Sequence, residues 1–183
     1  MSSRNNQAGK LIGAVLAGGR ARRFGSDKAM ALLGGKPLMV HAAEALGHHT
    51  AAIVVCGREL EGYHCLPDRP APDLGPLGGL NAALRYASDE GYEGVLCTGC
   101  DMPVFPAALA SALVGDGPAI VEGQFLMGYW PAALSAALDA HLREDPDRSV
   151  RAWLAMTHPC IIPAPPLPNI NTPDDLRQLE TGG

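Results

Sequence analysis

Short apolar runs alternate with segments of helical periodicity along most of this chain. Residues 11–16, 51–56 and 94–98 are continuous apolar runs, which predict short strands buried on both faces. Between them, apolar positions at helical spacing predict one helix over 37–46 and another that opens within 74–79 and ends near residue 88. Strands that alternate with helices in this way predict an α/β fold with a parallel sheet and right-handed crossovers.

The second half of the chain is less regular but continues the same alternation. The predicted elements there are helices at 106–114, 131–142 and 149–156, strands at 119–121, 125–129 and 161–162, and a final helix start at 172–175. A Pro-rich stretch at 67–73 predicts a loop. Because no internal repeat or linker interrupts the pattern, we predict a disordered polar tail at 1–9 and a single domain at 10–183.

Composition narrows the class of protein. The chain has 183 residues, of which 47% are hydrophobic and 18% charged, as expected for a folded domain with a sizeable core. No apolar run approaches the roughly 18 residues of a membrane span, and the N-terminus lacks an apolar signal core, so we expect a cytoplasmic protein without a membrane partner. A net charge of −5 argues against nucleic acid as a partner, and five cysteines are expected to be reduced thiols.

The most suggestive chemistry follows the first predicted strand. Gly18 and Gly19 come directly after it, and four cations follow within a few residues: Arg20, Arg22, Arg23 and Lys28. Glycines at such a bend let backbone N–H groups point inward, and a cluster of N–H groups backed by positive charge suits a polyphosphate. An ordinary strand-to-loop turn with a solvated basic rim explains the local pattern equally well.

Asp101 follows the third buried strand and is the strongest candidate metal ligand. Mg²⁺ prefers one or two carboxylates together with substrate phosphates and water. A turn or helix-capping aspartate is the alternative, since Pro103 and Pro106 are close by. Ligands of parallel α/β sheets bind beyond the carboxyl ends of the strands, so we expect Lys28 and Asp101 to face the same edge of the sheet.

Other polar residues are weaker candidates. Asp73 suits either a nucleoside contact or a turn, and Asn169 and Asn171 allow the same two interpretations. Cys97 and Cys100 form a CxxC motif, but Cys97 belongs to an apolar strand and no second pair of metal ligands accompanies it. Neither a redox site nor a zinc site is therefore favoured.

Taken together, these segments resemble the molybdenum cofactor guanylyltransferases, a family of the sugar-nucleotidyltransferase-like, Rossmann-related superfamily. Residues 16–28 are similar to the family signature LAGG-x-x-x-R-[MF]-G-x-D-K. The other matching segments, in chain order, are GKPL with His41 at 35–41, DLGPLGG at 73–79, CDMP at 100–103 and NINTPDDL at 169–176. The resemblance covers most of the chain.

The resemblance implies a single three-layer, Rossmann-like α/β domain with a mostly parallel central sheet. It also implies transfer of GMP from GTP to the terminal phosphate of Mo-molybdopterin, with release of pyrophosphate and with Mg²⁺ as cofactor. Molybdoenzyme apoproteins or cofactor-delivery proteins would be further partners. The alternatives are a nucleotidyltransferase that uses CTP or another phosphate acceptor, and a non-catalytic nucleotide-binding protein.

Site residues follow from the resemblance position by position. Lys28 would neutralise phosphates, and Asp101 would hold Mg²⁺ and take part in catalysis with Lys28. Asn169 and Asn171 would face the acceptor. The residues expected around the nucleotide are Leu16, Ala17, Gly18, Gly19, Arg23, Lys28, Asp73 and Asp101.

Two positions depart from the family pattern. Cys56 stands where the second strand usually ends in an asparagine that contacts guanine, which leaves the choice of base open although the LAGG motif favours guanine over cytosine. Residues 124–128 lack the family's His-Pro pair, so the contact with the pterin is expected to differ.

Overall fold

Strands and helices alternate through the part of the chain that this computed structural model describes, which is residues 10–18, 28–170, 172, 174–175 and 177–178. The strands are β1 (Leu11–Leu16), β2 (Leu32–Leu33), β3 (Lys36–Pro37), β4 (Ala52–Cys56), β5 (His64–Leu66), β6 (Gly94–Gly99), β7 (Ala119–Val121), β8 (Gln124–Pro131) and β9 (Cys160–Ile162). The helices are α1 (Leu38–Gly47), α2 (Pro76–Asp89), α3 (Ala107–Leu113), α4 (Ser135–Glu144) and α5 (Val150–Thr157). The predicted tail at 1–9 lies outside the described residues.

Seven of these strands form one sheet in the order β5-β4-β1-β6-β8-β7-β9. The pairs β4–β5, β1–β4, β1–β6 and β7–β9 are parallel, whereas β8 runs antiparallel to both β6 and β7. The short β2 and β3 form a separate antiparallel ribbon. The predicted mostly parallel α/β sheet is therefore confirmed.

The sheet is covered on both faces, which gives three layers. Leu11 and Val15 of β1 point into a core shared with α1 and α3, whereas Ile12, Ala14 and Leu16 point into a core shared with α2, α4 and α5. All six residues of β1 are buried. A strand enclosed on both faces needs apolar residues at every position, which explains the continuous run in the sequence. None of the described helices is long and apolar enough to span a membrane.

The structure differs from the predicted elements in three places. The expected helix at 131–142 begins later, because Pro131 pairs with Gly94 as the last residue of β8 and Ala132 N–H donates to the Glu93 carbonyl at 2.9 Å. A 3₁₀ turn (Ala132–Leu134) then leads into α4. The three-residue β5 and the two-residue β2 and β3 were not predicted, since strands so short carry no detectable periodicity. Pro37, predicted to open the helix at 37–46, pairs with Leu32 in β3 instead, and α1 begins at Leu38.

Two predicted helix starts are confirmed by their hydrogen bonds. Ser149 Oγ accepts from Ala152 N–H at 3.1 Å and so caps α5. Near the C-terminus, Thr172 Oγ1 accepts from Asp175 N–H at 3.2 Å, and the Asp175 carboxylate accepts from Thr172 N–H at 2.8 Å. This reciprocal pair is a capping box, which satisfies backbone donors that a helix N-terminus leaves unpaired.

Candidate active site

The carboxyl ends of three neighbouring strands meet at one edge of the sheet. Leu16 at the end of β1 pairs with Cys56 at the end of β4 and with Gly99 at the end of β6. The loops that follow these strands therefore start side by side. Ala17 N–H donates to the Cys56 carbonyl at 3.0 Å, which extends the β1–β4 pairing into the first loop.

Lys28 and Asp101 meet at this edge, as the sequence predicted. Lys28 Nζ donates to Asp101 Oδ2 at 3.0 Å across 73 residues of sequence, and the two side chains are 12% and 27% exposed. Because both charges are partly shielded from water, their attraction is stronger than that of an exposed ion pair. The arrangement places one cation and one carboxylate where a phosphate and a divalent cation would need them.

The surroundings of Asp101 fit Mg²⁺ held together with substrate. A Cβ added to Gly99 would lie 2.5 Å from Asp101 Oδ1, so only a glycine at position 99 leaves room for the Asp101 carboxylate to lie against the backbone there. The described residues contain no group of three or more His, Cys, Asp or Glu side chains able to hold a metal. A single hard oxygen donor suits Mg²⁺, which takes its remaining ligands from phosphates and water.

A cleft of about 610 Å³ opens at the same edge of the sheet, where β1 and β4 end. Its lining comes from the loops after β1, β4 and β5 and from the segment before α2. The lining residues are Ala17, Gly18, Gly57, Arg58, Asp68, Asp73 and Gly75. Three predicted nucleotide residues, Ala17, Gly18 and Asp73, thus line one cleft. Leu16 is buried beneath it as the last residue of β1.

Asp68 is the residue in this cleft that the sequence analysis missed. A Cβ added to Gly18 would lie 3.6 Å from a carboxylate oxygen of Asp68, and one added to Gly57 would lie 3.0 Å from it. Gly78 and Gly79 also lie against the Asp68 side chain. Oδ1 of Asp68 is buried and has no hydrogen-bond partner among the described residues. Burial, and to a lesser extent the charge of Asp73, raises the pKa of Asp68. A buried acceptor without a partner beside a cleft is placed to receive N–H donors from a ligand.

Asp73 occupies the rim of the cleft rather than its interior. It is exposed and has a φ of 61°, which is typical of an aspartate in a tight turn. Both aspartates belong to the predicted Pro-rich loop, and nothing in their local sequence distinguishes them. The signal that could have separated them is the fixed sequence separation from Asp68 to Gly78 and Gly79, which lie against its side chain.

Cys56 does not reach the cleft. It is fully buried, and burial raises the pKa of its thiol far above the ordinary value. The position expected to contact the base therefore presents a neutral side chain to the core of the protein.

The CxxC motif is structural. Cys97 donates to the Leu126 carbonyl at 3.2 Å, and burial raises the pKa of its thiol to about 12. Burial and the charge of Asp101 raise the pKa of Cys100 to about 11, although Lys28 and Arg58 act in the opposite direction. Because the thiolate is the reactive form of cysteine, neither thiol is a nucleophile at neutral pH.

Asn169 lies next to the Asp101 loop. The adjacent Ile170 donates its N–H to the Asp101 carbonyl at 3.0 Å, and Oδ1 of Asn169 is buried without a partner among the described residues. The C-terminal segment therefore packs directly against the candidate metal ligand. Gly19, Arg23 and Asn171, the other predicted site residues, lie outside the described part of the chain.

Comparison with known proteins assigns this site to a family. The sequence model of the MobA-like NTP transferase domain matches residues 13–162. The chain belongs to this family. A molybdenum cofactor guanylyltransferase of Sinorhizobium fredii is 35% identical over 207 aligned positions, covering 98% of this chain and 95% of that protein. One from Rhodobacter capsulatus is 32% identical, covering 93% and 95%.

Solved structures show the same fold. Molybdopterin-guanine dinucleotide biosynthesis protein A from Archaeoglobus fulgidus superposes with a TM-score of 0.72 at 21% identity, covering 93% of this chain and 97% of that one. A nucleotidyl transferase from Methanothermobacter thermautotroptrophicus gives 0.71 at 18% identity, covering 94% and 96%. The family predicted from the sequence motifs is confirmed, and this MobA-like chain is a nucleotidyltransferase.

The close approach of Gly57 to Gly18 at the cleft predicts how much an alanine at position 57 destabilises the fold. Gly57 has a φ of 79°, and a Cβ added to it would lie 2.8 Å from Gly18 Cα. Gly62 has a similar φ of 84°, but a Cβ added to it would have no atom within 4 Å, so the two glycines differ only in this contact. Gly62→Ala should cost about 1–2 kcal/mol from the backbone conformation alone. Gly57→Ala should cost about 1–3 kcal/mol more, since it also pushes the two loops apart. Urea denaturation of both variants measures the difference, and equal losses would contradict the close contact.

Proposed function

We propose that this MobA-like protein transfers GMP from GTP to the terminal phosphate of Mo-molybdopterin in a Mg²⁺-dependent reaction. The products would be the molybdopterin guanine dinucleotide cofactor and pyrophosphate. Molybdoenzyme apoproteins or cofactor-delivery proteins are the proposed recipients. The names of the relatives from Sinorhizobium fredii and Rhodobacter capsulatus support the pathway. The observation that carries the proposal is the buried Asp68 Oδ1, which has no partner among the described residues, in a cleft at the same sheet edge as the Lys28–Asp101 pair.

Asp68 supports guanine as the base. An ionised carboxylate is an acceptor with two oxygens, and guanine offers two adjacent donors, its ring N–H and its exocyclic amino group. Cytosine and adenine each offer one amino group next to a ring nitrogen that accepts. A carboxylate therefore pairs fully with guanine and only partly with the other two bases, which favours GTP although Cys56 cannot contact the base.

Lys28 and Asp101 support phosphoryl-type transfer. Lys28 would neutralise charge on the triphosphate, and the Ala17–Gly18 backbone would approach it closely because no large side chain intervenes. Asp101 would hold Mg²⁺, which when bound supplies neutralisation of the leaving pyrophosphate. Such transfer depends on positioning and charge rather than on a protein nucleophile, in agreement with the neutral thiols. Asn169 is the proposed contact for the acceptor.

The nucleotide preference is tested by calorimetric titration of the protein with GTP, CTP and ATP in the presence of Mg²⁺. We expect GTP to bind at least about tenfold more tightly than either competitor, since each lost charged hydrogen bond costs more than 1.4 kcal/mol. A preference for CTP would overturn the guanine assignment. Failure to release pyrophosphate from GTP and Mo-molybdopterin would overturn the reaction.

Replacing Asp68 by Asn should weaken GTP binding without destabilising the fold. Asp68→Asn keeps the size of the side chain but replaces one acceptor by a donor, so GTP affinity should fall about tenfold to a hundredfold. Xanthosine triphosphate, whose base carries a carbonyl in place of the amino group, should bind better than it does to the native protein. The melting temperature should stay the same or rise, because the buried charge is removed.

The charge-matched control for Asp68→Asn is Asp116→Asn, an exposed residue in the turn between α3 and β7. This control should leave GTP affinity unchanged. Native GTP affinity in the Asp68 variant would show that the carboxylate does not face the base.

Asp101→Ala should abolish turnover while the fold persists. Loss of the carboxylate removes the proposed metal ligand, and a loss of several kcal/mol of transition-state stabilisation corresponds to at least about a thousandfold in rate. Pyrophosphate release measures the rate, circular dichroism measures folding, and Asp116→Ala is the control. Pyrophosphate release at the native rate would rule out the role of Asp101.

A further inference from the structure

A second cavity lies between α2 and α4, and the proposed reaction gives it no role. Its volume is about 390 Å³, a size typical of small-molecule binding sites. Much of its wall is made of alanines, which leave space that larger side chains would fill; they are Ala132, Ala133, Ala136 and Ala140. It shares no lining residue with the cleft of the candidate active site. The cavity is therefore a separate candidate binding site.

Three arginine side chains line this cavity: Arg69 from the loop between β5 and α2, Arg85 from α2 and Arg143 from α4. Arg85 Nε donates to Asp89 at 2.8 Å, and Arg143 Nε donates to Asp139 at 2.7 Å. The Nη groups of Arg85 and Arg143 form no hydrogen bond with any other described residue. Both guanidinium groups therefore keep N–H donors for a ligand.

The Arg69 side chain is not used inside the described part of the protein, where it forms no hydrogen bond or ion pair. Its backbone is nevertheless fixed, because the Arg69 N–H donates to the Gly78 carbonyl in the first turn of α2 at 3.1 Å. A guanidinium that starts from fixed backbone and borders a cavity is placed to bind an anion that enters this cavity.

A buried hydroxyl borders the same cavity. Ser135, the first residue of α4, lines the cavity and is only 8% exposed. Its Oγ makes no hydrogen bond with the residues that the structure describes. Because buried polar side chains are normally hydrogen-bonded, a buried hydroxyl without a protein partner indicates that a polar group from outside the chain occupies the cavity.

Two carboxylates also line the cavity, but they do not cancel its positive charge. Asp139 Oδ1 accepts from Asn81 Nδ2 at 3.0 Å, and its Oδ2 accepts from Arg143. These hydrogen bonds, together with the charges of Arg143 and Arg69, hold the pKa of Asp139 below its usual range. The second carboxylate, Glu144, is exposed. The lining thus carries three positive and two negative charges, which leaves an excess of one positive charge.

We propose that this cavity is a second ligand site, which binds an oxyanion of the class formed by phosphate and the phosphate groups of small molecules. Guanidinium groups donate pairs of N–H groups to the oxygens of a phosphate and stay charged at physiological pH. The Ser135 hydroxyl adds a donor at a position shielded from water. The proposal does not depend on the transfer of GMP, since it uses no residue of the candidate active site.

Replacement of Arg69 tests the site most directly, because it breaks no ion pair within the described residues. Calorimetric titration with inorganic phosphate and with pyrophosphate, without nucleotide and at fixed ionic strength, should detect binding. Arg69→Gln should weaken it by about threefold to tenfold, and Arg69→Lys should regain part of the loss. Tighter binding of pyrophosphate would indicate a diphosphate group as the ligand, and tighter binding of phosphate a single phosphate group. Binding of neither would overturn the proposal.

Glu144 provides a test of opposite sign. Glu144→Gln removes a negative charge from the cavity lining, so it should tighten binding of the same anions by about twofold to fivefold. Unchanged or weaker binding in this variant would contradict an anion in the cavity.

Two controls exclude binding elsewhere. The Lys28–Asp101 region also attracts phosphate, so the Arg69 comparison is repeated in a Lys28→Gln background, where the threefold to tenfold loss should persist. Anion binding that Lys28→Gln abolishes and Arg69→Gln leaves intact would place the anion at the candidate active site and overturn the proposal. Arg151→Gln removes an exposed charge from α5 that does not line the cavity, and it should keep the native affinity. A loss equal to that of Arg69→Gln would show unspecific attraction.

The melting temperature gives a readout that does not depend on calorimetry. A ligand that binds only the folded state raises it, so phosphate should raise the melting temperature of the Lys28→Gln protein more than that of the Lys28→Gln, Arg69→Gln double variant. Without phosphate the two proteins should melt at the same temperature, because the Arg69 side chain forms no hydrogen bond or ion pair with another described residue. An equal rise in both would contradict binding by Arg69.

Discussion

The hydrogen bond between Lys28 and Asp101 depends on the arrangement of the whole sheet. The two residues are 73 positions apart, and they meet because β1 and β6 are adjacent, parallel and in a register that ends both strands at the same edge. β1 also pairs with β4, so the three loops around the site share one buried strand as their support. The full burial of β1 therefore sets the position of the charges as well as the stability of the core.

The buried carboxylate oxygen of Asp68 lowers the stability of the folded protein. A buried polar atom without a partner costs about 1–3 kcal/mol, and Oδ1 of Asp68, which has no partner in the part of the chain that the structure describes, is such an atom among four glycines. The glycines leave room for the carboxylate and bring the backbone of the first loop close to it. An apolar residue at position 68 would be more favourable for folding alone, so the cost is best explained by a ligand that repays it with N–H donors.

Strands and helix caps were predictable because their signals are local. The continuous apolar runs gave β1, β4 and β6, and Ser149 and Thr172 marked helix starts that the hydrogen bonds confirm. The meeting of Lys28 with Asp101 was also predictable, since it follows from parallel strands. Asp68 was not, because its burial depends on how the loop after β5 packs against Gly18 and Gly57 and against the glycines within α2. The start of α4 was misplaced for the same reason: a tertiary contact from Glu93 extends β8.

The burial of Cys56 changes how base recognition must be organised in this chain. A polar residue at the end of β4 would read the base from the strand itself, whereas the thiol points into the core and leaves that role to loop residues. Among these loop residues, Asp68 presents a buried carboxylate oxygen beside the cleft. A base that carries adjacent N–H donors is the kind of ligand that such an acceptor suits.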